Sequence, residues 1–338
     1  LILLLWQSAE VLRAPAQITK EFIFDTAPFP SSHASTLVQL RSGGILAAWF
    51  GGTAEGNPDV AIWSSRRTSQ GWSTPAELAR EPHTPTWNPV LFYSKDGRLW
   101  LYYKFGPTVM NWTAARRWSG DDGKTWSPAE HLPAGILGPI KDKPLALEDG
   151  VIVSGTSIES YHSWAAWIER STDNGETWTK IGPIRLASGM PPASNQTSGI
   201  IQPSVIDLGG KHLRLYLRAT QDIGRICIAD SYDEGLTWNP AHPIALPNPN
   251  SGIDAVRLRD GRAVLVFNDT ASGRTPLNLA VSNDGEHFRD FLTLDSGPGE
   301  YSYPAIIQLE NGDLAMTYTW NRKKIRYAEL PLASIPAN

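Results

Sequence analysis

The chain has 338 residues, 41% of them hydrophobic and 19% charged, and a formal net charge of −4. This is enough apolar material for one large core and too little charge for a disordered chain; without a long basic run, nucleic-acid binding is not expected, and an anionic ligand would need a few placed cations. No stretch reaches the ~20 apolar residues of a membrane-spanning helix, and the single Cys227 can form no internal disulfide and argues against a metal site.

In chain order, residues 1–20 read as an N-terminal extension. The apolar run Leu1 to Trp6 fits a clipped leader or a strand, and sets the expectation of a secreted or periplasmic protein. Residues 21–338 read as one domain built from a repeat. A strand is expected near Glu21 to Asp25, followed by hairpins whose tight turns hold Ser42-Gly43, Asp96-Gly97, Asp149-Gly150, Gly209-Gly210, Asp260-Gly261 and Asn311-Gly312. The second glycines, at 43, 97, 150, 210, 261 and 312, stand 54, 53, 60, 51 and 51 residues apart, which implies six near-equal units.

A second signature follows the hairpins. Ser119-Gly120-Asp121-Asp122-Gly123-Lys124-Thr125-Trp126 recurs as Ser171 to Trp178 and Ser231 to Trp238, with degenerate copies at Ser282 to Phe288 and Gly71-Trp72. These are Asp boxes: the Ser and Asp side chains can bond turn amides, and the aromatic ring packs between sheets. They predict fold rather than chemistry, and most of the 14 Trp residues are expected to act as such staples. Two hairpins per unit make a four-stranded blade, so the fold class is all-β, a six-bladed β-propeller, with the N-terminal strand completing the last blade.

Hairpin polarity places the starts of first strands and the ends of second strands on one rim. The starts contribute His33, Asn88, Lys143, Gln202, Asp254, Tyr301 and Tyr303. The ends contribute Glu55, Asp59, Lys104, Glu159, Arg218, Arg274 and Arg322. This concentration of guanidinium, carboxyl, phenol and amide groups suits a polar ligand, and Arg218 and Arg274 suit a planar carboxylate.

With these motifs in view, nearly the whole chain resembles the sialidase superfamily, in particular its Asp-box-repeat branch. The resemblance implies an arginine cluster holding a sugar carboxylate, a tyrosine that attacks the anomeric carbon with help from a carboxylate, and an aspartate as acid/base, without metal or cofactor. Leu215 to Thr220 resembles the segment of one triad arginine, here Arg218, and Gly273 to Leu277 that of another, Arg274. Glu300-Tyr301-Ser302-Tyr303-Pro304 resembles the nucleophile segment, with Tyr301 the better match and Tyr303 next. The loop Gly51 to Asp59 matches the acid/base position, which implies Asp59, with Glu55 in reserve.

Two departures stand out. His33-Ala34-Ser35 replaces the family's Arg-Ile-Pro, and Ile200-Ile201 stand where the tyrosine's partner glutamate would be, so Glu159 or Glu300 is expected to substitute. The resulting expectation is an exo-glycosidase acting on a terminal sialic acid or related acidic sugar. The alternatives are a propeller lyase acting on a uronic acid, with His33 or a tyrosine as base, and a non-catalytic carbohydrate-binding propeller.

Overall fold

Short runs of β-branched and aromatic residues, punctuated by glycine-bearing turns, leave little choice but strands. The computed structural model of the protein describes residues 17–188 and 198–337. Most of the N-terminal extension therefore lies outside the described residues. Blade 1 consists of Ser31–Gln39, Ile45–Gly52 and Ala61–Thr68 with short outer strands Gly71–Trp72 and Ala76–Ala79. Blade 2 is Thr86–Tyr93, Leu99–Phe105, Thr113–Ser119 and Glu130–His131; blade 3 is Leu145–Ala146, Ile152–Glu159, Ser163–Ser171 and Thr179–Ile181. Blade 4 is Ser198–Gly209, His212–Ala219, Arg225–Ser231 and His242–Pro247, and blade 5 is Asp254–Arg257, Ala263–Phe267, Leu277–Ser282 and Arg289–Asp295. Blade 6 is Tyr301–Gln308, Leu314–Trp320 and Lys324–Leu330, and its outer strand is the N-terminal Thr19–Phe22, paired antiparallel with Arg326 to Glu329. The expected closure is present, two residues earlier than the sequence suggested. Among the described residues, the one helical element is the short 3-10 turn Leu332–Ser334.

Burial shows why the ring closes. Six apolar clusters form, each built from two adjacent blades, including the pair of blade 6 with blade 1, where Ile23, Phe24 and Trp49 meet Ala315 and Tyr327. Each blade buries both faces, so no sheet is left with a bare apolar surface. The Asp boxes hold the far end as expected. In the second box Asp173 accepts from Thr177 N at 2.9 Å and Thr177 Oγ1 at 2.6 Å, and Trp178 Nε1 donates to Tyr102 of the preceding blade at 3.1 Å.

One irregularity recurs at the other end. The pairing of the two inner strands slips between His33 and Thr36, Trp87 and Val90, Ile201 and Ser204, and Ser302 and Ala305. Inside each slip sits a non-glycine residue at positive φ: Ala34 at 54°, Asn88 at 35°, Gln202 at 51° and Tyr303 at 50°. In three of the four a proline follows, Pro89, Pro203 or Pro304, which cannot donate to the ladder. These are bulges, and such strained backbone persists where surrounding contacts over-determine it, commonly at functional sites. Between blades 3 and 4 the ring is tightened by a parallel contact of Trp164 with Gly199, where a Cβ would stand 2.1 Å from the Trp164 carbonyl oxygen, so only glycine fits.

Candidate active site

The bulges turn side chains from several blades toward one another. Tyr303 is at the centre. Arg218 Nη1 donates to its phenolic oxygen at 2.9 Å and to Gln202 Oε1 at 3.1 Å, and Gln202 Nε2 donates to the same phenolic oxygen at 3.2 Å. With two donors already on that oxygen, the phenol's own proton is available to a third group. The Arg218 and Arg274 guanidinium carbons lie 5.8 and 5.6 Å from the ring centroid, Lys141 Nζ lies 5.9 Å away, and the His33 ring 4.3 Å.

A carboxylate organises two of the arginines. Glu300 Oε1 accepts from Arg274 Nη1 at 2.9 Å and from Ser302 Oγ at 2.6 Å, while Arg322 Nε reaches both Glu300 oxygens at 3.1 and 3.0 Å. Arg322 also pairs through Nη1 with Glu55. Burial pushes the Glu300 carboxyl up, but Ser302, Arg322 and Arg274 outweigh it and hold the group below its ordinary range. Arg218 differs. It is buried, its Nε donates to Asn250 Oδ1 at 2.9 Å, and among the described residues its bonded partners are all neutral. Its guanidinium lies over the Trp164 ring at 5.5 Å.

Glu159 belongs to the same group: burial raises its carboxyl above the ordinary range, with Arg218 opposing and Glu55 adding to the rise. His33 is 1% exposed, and burial first, then Arg322, Arg274, Arg218 and Lys141, lower its pKa well below the usual value. It is therefore a neutral imidazole at pH 7. Its Nδ1 shares a 2.9 Å hydrogen bond with Thr319 Oγ1, and its buried Nε2 has no partner among the described residues.

The structure thus brings together His33, Glu55, Glu159, Gln202, Arg218, Arg274, Tyr303 and Arg322. Asn88 occupies the matching bulge of blade 2 and is buried there. Five expected site residues are placed elsewhere. Tyr301, the better sequence match for a nucleophile, packs in the apolar cluster between blades 5 and 6, and its hydroxyl donates to the Ser296 carbonyl at 3.1 Å. Asp59 is turned into its own loop, where Oδ2 accepts from Thr53 N at 2.8 Å and Thr53 Oγ1 at 2.5 Å; the Thr53 hydroxyl is the main cause of a carboxyl held below its ordinary range, the opposite of what a proton donor needs.

Lys104 is fully buried between blades 2 and 3 and donates to the Pro139 carbonyl. Lys143 and Asp254 pair with each other at 2.9 Å. Asp254 also accepts from Ser204 Oγ at 2.7 Å and Ile306 N at 2.9 Å, which makes it a tie between inner strands. Lys143 borders a cavity of 490 Å³ whose other walls come mainly from the inner strands of blades 4 and 5, such as Val205, Asp207, Ala255 and Arg257, and Tyr303 is not among its lining residues. Lining alone does not make that cavity the reaction site, because Arg218, Arg274, Glu300 and Tyr303 are not part of its lining. Sequence reasoning missed Lys141, Trp164 and Asn250. Lys141 escaped because the inner strand of blade 3 is largely irregular, so strand register pointed to Lys143 instead.

Chemically, the arrangement offers one guanidinium without a bonded carboxylate, two more steadied by Glu300, a phenol whose oxygen accepts two donors, and a buried carboxyl, Glu159, raised above its ordinary range. Residues 43–316 match the BNR repeat-like domain family. A sialidase of Bacteroides fragilis (strain YCH46) is 24% identical over 265 residues, 70% of this chain and 47% of that protein, so the chain spans less than half the length of this curated relative. Among solved structures, a protein of unknown function from Dyadobacter fermentans superposes with a TM-score of 0.77 at 17% identity, covering 93% of this chain and 98% of the other. The NanB sialidase of Streptococcus pneumoniae gives 0.74 at 16% identity over 94% and 71%. The intramolecular trans-sialidase of Ruminococcus gnavus gives 0.72 at 13% identity over 94% and 98%. With its six blades, its Asp boxes and a match across most of its length, the chain belongs to the BNR repeat-like domain family of the sialidase superfamily.

Proposed function

We propose that this protein is a sialidase-like exo-glycosidase that removes a terminal sialic acid or related acidic sugar, with Tyr303 as the attacking group. The observation that carries this reading is the convergence of Arg218 and Arg274 on one phenol whose oxygen already accepts two donors, with Arg322 joined to Arg274 through Glu300. A neutral phenol suits an anionic sugar, because a carboxylate nucleophile would be repelled by the sugar's own charge. Arg218 is the leading anion ligand, since the groups it bonds carry no opposing charge.

In this scheme the Tyr303 oxygen forms a bond to the anomeric carbon as the bond to the leaving oxygen breaks. Glu159, with its raised affinity for protons, takes the phenol's proton, and Glu55, on the exposed loop and paired with Arg322, relays a proton from solvent to the leaving oxygen. Water then attacks the anomeric carbon and loses a proton through Glu55, while Glu159 returns its proton to the Tyr303 oxygen as the tyrosyl–sugar bond breaks. Glu300, held ionised, keeps Arg274 and Arg322 in place, while the raised Glu159 carboxyl is the one suited to hold a proton during the reaction.

One observation favours a second reading. A buried neutral His33 with an unbonded Nε2 beside Tyr303 is a competent base for a uronate lyase. Sialosides and uronosides incubated with wild-type protein separate the two: free sugar without ultraviolet absorbance marks hydrolysis, and an absorbing unsaturated product marks elimination. Tyr303→Phe should lower turnover of a sialoside by roughly 1,000-fold, while Tyr301→Phe should stay within about twofold. Full turnover by Tyr303→Phe would refute the assignment.

A further inference from the structure

Blade 3 departs from its neighbours where its innermost strand should begin. That strand is cut to Leu145–Ala146, and residues 137–144 run before it as an irregular segment. The segment is nonetheless tightly held. Glu169, buried, accepts from Leu137 N at 3.0 Å and Gly138 N at 2.6 Å; Lys104 donates to Pro139 O; and Ile140 N donates to Gly155 O at 3.1 Å. Gly138, at φ 63°, lies so close to the Tyr102 ring that a Cβ would stand 2.4 Å from it. The buried ions that contribute nothing to the rim thus fix the course of this segment, and its end delivers Lys141 to the propeller axis.

Lys141 reaches across that axis. Its Nζ lies 2.7 Å from Asp142 Oδ1, 2.6 Å from the Ile253 carbonyl of blade 5 and 2.6 Å from the Pro304 carbonyl of blade 6. Three acceptors use all three of its N–H groups, so none remains for a ligand. Pro304 directly follows Tyr303 in the bulge, and Ile253 follows Gly252, where a Cβ would stand 3.5 Å from the Tyr303 ring and 3.3 Å from Lys141 Cε. Left-handed backbone at a tyrosine is strained, and it needs surrounding contacts to hold it.

We propose that Lys141 is the positioning residue of the site: from the opposite side of the ring it ties the backbone at the Tyr303 bulge to that of blade 5, and so holds the phenol where Arg218 and Gln202 meet its oxygen. This inference rests on the reading of Tyr303 as the reacting group. It explains why a lysine whose head group is fully bonded lies 5.9 Å from the centroid of the Tyr303 ring without offering a donor to a ligand. It also gives the irregular start of blade 3 a purpose, since a regular strand there would not carry a side chain to Pro304.

The test uses the whole chain with a fluorogenic aryl sialoside as probe. Because Lys141→Met leaves Asp142 buried without its partner, the double variant Lys141→Met/Asp142→Asn accompanies it. Both should lower kcat by about 100-fold, the scale of an ångström-sized misplacement, with KM changed less than about threefold. A crystal structure of the double variant should show the Arg218–Tyr303 hydrogen bond broken. A kcat within about twofold of wild type in the double variant, or a Tyr303 ring that has not moved, overturns the proposal. If Tyr303→Phe instead keeps full turnover, the nucleophile reading fails by itself; the crystal structure then decides alone, a displaced ring upholding the positioning role and an unmoved one overturning it.

Discussion

At the scale of single residues, the site turns on what separates Tyr301 from Tyr303. Two positions apart in a regular strand, they would share a face. The slip between Ser302 and Ala305 ends that equivalence, leaving Tyr301 paired opposite Trp320 in the core while Tyr303 turns toward the axis. Glu159 supplies the pH test. Burial raises its carboxyl, so the group exchanges its proton at a higher pH than an ordinary glutamate, whose reference value is ~4.3. If ionised Glu159 takes the Tyr303 proton, kcat/KM falls on the acid side through that raised value. Glu159→Gln should lower kcat by about 100-fold and abolish the acid limb, measured as a pH–rate profile on the same sialoside. An unchanged limb would assign the titration to another carboxyl and remove Glu159 from the mechanism.

At the scale of elements, the Asp box is a small hydrogen-bonded knot with a predictable acid response. Burial pushes Asp173 up, but bonds from the Thr177 hydroxyl and amide and from Ser171 more than offset it, and the folded carboxyl titrates below its ordinary range. A folded pKa below the unfolded ~3.9 means the knot's contribution is present above about pH 4 and fades as pH falls through the folded value. Asp173→Asn should cost about 1–2 kcal/mol near pH 6 by urea unfolding, and the gap from wild type should narrow near pH 3. Such knots were legible in the sequence because they are local: their residues lie within eight positions of one another, as do the glycine turns that marked six blades. Hairpin polarity also carried the rim, which is why Arg218, Arg274, Gln202 and Tyr303 could be gathered in advance. What stayed hidden depends on contacts far apart in the chain. No local feature shows that Lys104 points into the blade 2–blade 3 interface, that Asp254 ties three inner strands, or that the bulge promotes Tyr303 over Tyr301.

For the whole molecule, the site is only as well defined as the ring around it, because its parts come from blades 1, 3, 4, 5 and 6. The ring is closed by the pairing of Thr19–Phe22 with Arg326 to Glu329 and by the bond from Ile23 N to the Ile325 carbonyl at 3.0 Å. Ile23 and Phe24 then bury themselves beside Trp49 and Tyr327 at the junction of blades 6 and 1. A chain beginning at Asp25 would expose the edge of blade 6 and lose two buried apolar side chains, each worth about 1.5–3 kcal/mol. Its melting temperature should fall by roughly 10 °C, and turnover should fall with it, since Arg322, Thr319 and Tyr303 all lie on blade 6. A synthetic peptide of residues 17–24 should restore part of both by adding back the missing strand. If the truncated chain melts and turns over as the full chain does, the six interblade clusters close the ring without that strand, and the N-terminal pairing is an accessory rather than the latch.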